Sequence, residues 1–169
     1  MTIQKKFFVT NEIVEHLFKY NIEFDQIRMF RYTYFAGRFV NYEDAVLRIK
    51  SFEGSHNLDY KSRDELTGVW TKFESAISDP DQTTLLLEQL GFAVKAVLHK
   101  NFRSWRNGVL ALDLVEVNDL FTVLEAKFRN ADIAEAEAFI RELGFNPDQA
   151  DSRSSIDIYL ELVARERSA

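Results

Sequence analysis

Lys6, Arg48, Lys50, Lys61 and Lys72 fall at alternating positions in segments whose other positions are largely apolar. Ammonium and guanidinium groups donate hydrogen bonds and accept none, so cations gathered on one surface suit anionic oxygens, above all those of phosphates. Between low-dielectric walls such a set would focus its field on a phosphate chain. Carboxylates among the cations could then hold a bridging divalent ion. With no cysteine, and with His16, His56 and His99 at no metal-ligand spacing, carboxylates are the ligands left for any metal. Those are hard oxygen donors, which favour Mg²⁺ or Mn²⁺ over Zn²⁺.

The elements that must position these cations show as alternation. In residues 2–9, Ile3, Phe7 and Val9 point one way and Thr2, Gln4 and Lys6 the other, as a strand with one core face requires. Residues 27–35 are aromatic and strand-like. In 45–52, Leu47 and Ile49 oppose Arg48 and Lys50; in 57–62, Leu58 and Tyr60 oppose Asp59 and Lys61. In 69–77, Val69, Phe73 and Ile77 oppose Trp70, Lys72 and Glu74. Further strands are expected at 95–105, 108–116 and 120–128, and in the alternation of Ile156, Ile158, Leu160 and Leu162. Helical spacing follows Thr10, and helices are expected from Asp79–Asp81 to a stop at Gly91 and from Asp132 to a stop at Gly144. The sum is about eight strands and three helices in an α+β domain, with connections short enough for antiparallel neighbours.

A chain of 169 residues, 46% hydrophobic, falls in the single-domain range, so one domain over 1–169 is expected. Its fifteen Phe and six Tyr against two Pro and six Gly exclude a linker-rich or disordered protein. The net charge of −6 disfavours general nucleic-acid binding. The start, MTIQKKFFV, is too short and charged for a secretory signal, and no apolar run approaches a membrane span. A cytoplasmic protein is therefore expected. The polar face of an antiparallel sheet ordinarily meets water; if the sheet curls, the same cations line its interior.

The order of the segments resembles the CYTH superfamily, that of the class IV adenylyl cyclases and thiamine triphosphatases. IQKKFFV is similar to the end of the opening ExExK strand, YTYF to the aromatic strand, LRIK to LRIR, LDYKS to the strand carrying a tunnel lysine, and KFESAISD to the R-x-E strand. LLLEQLGF resembles the midpoint helix, VLHKNFRSW the K-x-R-x-x-Y strand, LALDLVEV the strand with an Asp, LEAKF the E-I-E strand, and IYLEL the terminal S-Y-x-E-L. The resemblance implies a closed or nearly closed antiparallel β-barrel of about eight strands, a triphosphate tunnel flanked by about three helices. It implies that Lys6, Arg48, Lys50, Lys61, Lys72 and Lys100, with Arg103 one place late in its motif, contact a nucleotide or other triphosphate. Glu74, Asp113 and Glu125 would be the Mg²⁺ or Mn²⁺ ligands, with Asp113 and Glu125 in catalysis, and a homodimer is implied.

The chain departs from the pattern at Thr2 and Gln4, which stand where ExExK has its two Glu, and at Ala36, Phe102 and Val123. Two functions follow. One is a weakened or altered metal-dependent triphosphatase or adenylyl cyclase. The other is a non-catalytic module that senses a phosphorylated ligand or docks a protein, because lost metal ligands cost rate more than binding. Trp70 and Trp105 are the aromatics considered for base stacking.

Overall fold

The computed structural model describes residues 2–42, 44–63 and 70–168. Its strands are β1 (Thr2–Phe8), β2 (Arg28–Ala36), β3 (Ala45–Phe52), β4 (Ser55–Arg63), β5 (Trp70–Ile77), β6 (Ala93–Arg106), β7 (Leu110–Val117) and β8 (Phe121–Arg129). Its helices are α1 (Asn11–Lys19), α2 (Pro80–Gln89), α3 (Ile133–Glu142) and α4 (Ser155–Ser168). The strands make one antiparallel sheet in the order β1-β8-β7-β6-β2-β3-β4-β5. The described ladders end at β1 and β5, so the expected closure into a barrel is not made by hydrogen bonds among the described residues.

Contacts divide the chain into two compact units, Met1–Met29 with Lys100–Ser152 and Phe30–His99 with Arg153–Ala169. In the first, β8 pairs antiparallel with β1 and β7, and β7 with β6. The side-chain period of two puts Phe7, Leu124, Ala126, Leu112 and Leu114 on one face, where Leu17 of α1 and Ile140 of α3 pack against them. Each fully buried Leu or Ile there is worth roughly 1.5–3 kcal/mol of apolar transfer. Lys5 belongs to this face by parity, and it escapes the core by bonding the Pro147 carbonyl at 3.0 Å and Glu137 at 2.8 Å. The Glu137 carboxyl is consequently held below its ordinary range, chiefly by that hydrogen bond from Lys5.

In the second unit, β3 pairs with β2 and β4, and β4 with β5. Phe35, Leu47, Ile49 and Leu87 of α2 form its core with Leu58, Tyr60 and Phe92 packed around them. Asp79 caps α2, accepting from the Asp81 and Gln82 amides at 2.9 Å, and Gly91 after its end takes φ +88°, the left-handed conformation a C′ position favours.

The segment around Ile156–Leu162 is helix α4, not the strand its alternation suggested. Ser154 and Asp157 explain it. The Ser154 amide and hydroxyl both donate to Asp157 Oδ2, at 3.1 and 2.5 Å, while the Asp157 amide donates to Ser154 Oγ at 3.2 Å. This reciprocal capping box satisfies the first-turn amides of a helix. Arg165 on Glu161, four residues apart, adds support further along.

Candidate functional site

Four of the expected cations share one face of the second unit. Register sets Tyr34, Arg48, Asp59 and Glu74 in one cross-strand row, Tyr32, Lys50, Asn57 and Ala76 in the next, and Val46, Lys61 and Lys72 in a third. Arg48, Lys50, Lys61 and Lys72 are thus brought together, with Glu74 among them. Asp59, a residue the motif comparison passed over, stands at their centre and is fully buried. Its Oδ2 accepts from Arg48 Nε at 3.2 Å and NH2 at 3.1 Å, and Lys72 Nζ lies 3.7 Å away. Lys72 also pairs with Glu74.

Arg48 donates from NH1 to the Tyr34 hydroxyl at 3.3 Å and lies over the Tyr32 ring at 4.6 Å. Burial opposes its charge most strongly, yet Tyr34, Tyr32 and Asp59 outweigh that, so the guanidinium holds its proton above the ordinary value. Beside it Lys50 Nζ sits 5.0 Å from the Phe30 ring centroid, and Phe30 stacks on Phe52 at 4.4 Å. The sequence did signal Asp59, since alternation puts it on the Lys61 side of β4.

The first unit carries a second polar row. Lys6 of β1, Glu125 of β8, Asp113 of β7 and Ser104 of β6 are successive cross-strand partners on the face opposite its core. All four are buried. Lys100 shares this face, as parity on β6 requires, whereas Arg103 pairs with Leu114 on the other face. Arg103 lines a cavity of about 160 Å³ with Asn101, Glu116 and Val14, so it is not brought together with Lys100, Asp113 or Glu125.

The unforeseen member is Lys127, two residues beyond Glu125 and hence on the same face. Its Nζ lies 2.6 Å from Asp113 Oδ2 and 3.3 Å from Glu125 Oε2. Burial is the largest influence on both Asp113 and Lys127 and opposes charge on each. Their mutual attraction, with the Ser104 hydroxyl donating to Asp113 and Glu125 facing Lys127, prevails. The Asp113 carboxyl is therefore held below its usual value and the Lys127 ammonium above its own. Ser104 is fixed in turn by Asp25, whose Oδ1 accepts from the Ser104 amide at 2.5 Å, and by Arg28 on its hydroxyl.

These residues do not fit a divalent metal as the resemblance implied. Among the described residues no three His, Cys, Asp or Glu converge on one point. Asp113 and Glu125 are adjacent, but an ammonium already lies between them. Mg²⁺ demands near-octahedral oxygen ligation, and a cation 2.6 Å from the first ligand oxygen opposes it. Trp105 stacks on Phe139 at 5.8 Å and 10°, a packing contact on the core side, and the side chain of Trp70 lies outside the described residues.

Comparison with solved structures finds the same fold, in keeping with the resemblance its motifs carry. The chain matches a Pyrococcus horikoshii protein with a TM-score of 0.72 and 25% identity over 95% of this chain and 99% of that one. It matches a proposed adenylate cyclase from Bacillus halodurans with a TM-score of 0.74 and 14% identity, covering 94% and 97% of the two chains. A proposed adenylyl cyclase from Hippeastrum, reported to have a dominant triphosphatase activity, matches with a TM-score of 0.65 and 16% identity over 95% and 96%. At these identities the likeness is one of fold. No protein-family model matches the chain, and no curated protein matches it by sequence. No helix among the described residues is long and apolar enough to cross a membrane.

Proposed function

We propose that the protein binds the phosphate chain of a nucleotide or other triphosphate on the face of Arg48, Lys50, Lys61 and Lys72, and that it acts by binding more than by turnover. The observation that carries this is the row Tyr34–Arg48–Asp59–Glu74. A partly buried guanidinium is fixed there with three of its five N–H groups accounted for among the described residues, which leaves two for an anionic oxygen. Preorganised donors of this kind cost little to order when a ligand arrives. The triphosphatase activity of the Hippeastrum neighbour, a protein of the same fold, supports the ligand class. The weight on binding follows from the carboxylates: Asp59 and Glu74 are engaged by Arg48 and Lys72, and Asp113 and Glu125 by Lys127.

The adjacency of two buried carboxylates, Asp113 and Glu125, favours the second reading, a residual phosphohydrolase or cyclase. Calorimetric titration with tripolyphosphate, ATP and thiamine triphosphate, with EDTA or with Mg²⁺ or Mn²⁺, followed by chromatography of the mixtures, tests both. Binding in EDTA that weakens at least about tenfold in Arg48→Met, without product, is the expected result. Metal-dependent product would establish turnover. No binding of any of the three would overturn the proposal.

A further inference from the structure

We propose that Lys127 is a resident cation that takes the place of a divalent metal between Asp113 and Glu125, keeps metal out, and presents its remaining N–H to an anionic oxygen. An ammonium has three donors and no acceptor. Two directions are taken by Asp113 Oδ2 at 2.6 Å and Glu125 Oε2 at 3.3 Å. The carboxylates are 10% exposed and Lys127 is 34% exposed, so the lysine is the solvent-facing member of the triad. Its free direction is therefore the one a ligand can reach.

The arrangement is built rather than incidental. Asp113 Oδ1, the oxygen that Lys127 does not use, accepts from Ser104, which Asp25 and Arg28 hold in place. Lys6 stands directly opposite Glu125 on the neighbouring strand. A dication entering between the two carboxylates would meet Lys127 at contact distance, and each strand partner that could relieve the repulsion is itself a cation or a hydroxyl. One positive charge about 4 Å from a doubly charged ion is enough, at an effective dielectric near 20, to weaken its binding on the order of a hundredfold or more.

The exclusion of metal does not rest on the triphosphate reading above, which concerns the face of the other unit. The deciding experiment therefore contains no phosphate. Mn²⁺ is titrated into the full chain and free Mn²⁺ is followed by its electron paramagnetic resonance signal. Wild type is expected to show no stoichiometric site at millimolar Mn²⁺, Lys127→Met to gain one, and Lys127→Arg, which keeps the charge, to remain silent. Loss of the gained site in Lys127→Met/Asp113→Asn would tie it to the pair. A stoichiometric wild-type site that Asp113→Asn abolishes would overturn the proposal, as would a folded Lys127→Met that binds no better than wild type.

Should Lys127→Met fail to fold, the lysine ammonium resonances of the wild-type protein still decide. A slowly exchanging Lys127 signal that is lost in Asp113→Asn and unmoved by Mn²⁺ supports the resident cation. Its displacement by Mn²⁺ refutes it. Metal exclusion holding while tripolyphosphate fails to bind would leave the present proposal standing and sink the triphosphate reading alone.

Discussion

Replacing Asp59 by Asn removes one charge from the centre of the second unit's polar face while keeping its shape. Asp59 has no exposed surface and Arg48 is 15% exposed at its side chain, so neither is well screened by water. Two unit charges 3.1 Å apart attract by roughly 5 kcal/mol at an effective dielectric near 20. The Asn variant is spared the desolvation of a carboxylate, which offsets part of that loss, and its amide oxygen can still accept from Arg48. Removing one partner of a buried ion pair nevertheless leaves the other uncompensated, at a typical cost of about 3–5 kcal/mol. Because an acceptor survives and Lys72 is relieved of nothing it needs, the lower end, about 3 kcal/mol, is expected. Replacing both partners, as Arg48→Met/Asp59→Asn, should recover much of it, since a matched pair exchanged for neutral groups is often close to neutral. Urea unfolding of wild type, both single variants and the double variant gives the cycle. A cost below about 1 kcal/mol for Asp59→Asn, or strictly additive single variants, would refute the buried pair as a unit.

Other substitutions test the scaffold. A Cβ at Gly37 would come within 2.8 Å of Phe92 Cε1, so Gly37→Ala must push a half-buried ring out of its core, costing about 1–3 kcal/mol; an unchanged urea midpoint would contradict this. Asp79→Ala leaves the Asp81 and Gln82 amides without their cap and should cost about 1 kcal/mol, read as a lower melting temperature with an unaltered circular dichroism spectrum. The Asp113–Lys127 pair sets a pH dependence with two sides. Asp113, held low, contributes stability above its unfolded value near 3.9 that is lost as pH falls through its folded one; Lys127, held high, contributes below about 10.4 and loses it as pH rises further. Stability from this pair should be flat between those limits, and Lys127→Met should shallow the acid-side slope; an identical slope in urea titrations at pH 3–5 would count against the pairing.

Much of the scaffold was legible because strand alternation is a local property. The faces of β1, β3, β4 and β5 follow from apolar positions two apart, and burial of one face fixes the register that unites Arg48, Lys50, Lys61 and Lys72. The error at α4 arose because Ile156, Ile158, Leu160 and Leu162 alternate as a strand would, while the stronger signal, Ser154 three residues before Asp157, satisfies helical amides that alternation cannot see. Closure of the sheet depends on pairing between distant segments, which short-range periodicity does not encode. Arg103 was a matter of parity: one residue's offset from Lys100's face moves a side chain across the sheet. Asp59 and Lys127 are legible by alternation, each two residues from Lys61 and Glu125 on the same face, but they answer a charge and match no position of the motif pattern.

Those two residues change what the cations imply. Cations on one face repel, and burying them unpaired would cost several kcal/mol each. Asp59 stands beside Arg48 and Lys72, and Asp113 and Glu125 stand beside Lys127, so part of the positive charge on each face is already answered before any ligand arrives. A ligand then gains only the difference between its own contacts and those it replaces. A single negative oxygen offers little beyond the carboxylate already present. A chain of phosphates, meeting several cations together while the carboxylates remain, gains from every N–H they leave unused. The counter-charges therefore stabilise the unliganded fold and raise the charge a ligand must carry, which suits the proposed triphosphate better than a simple anion.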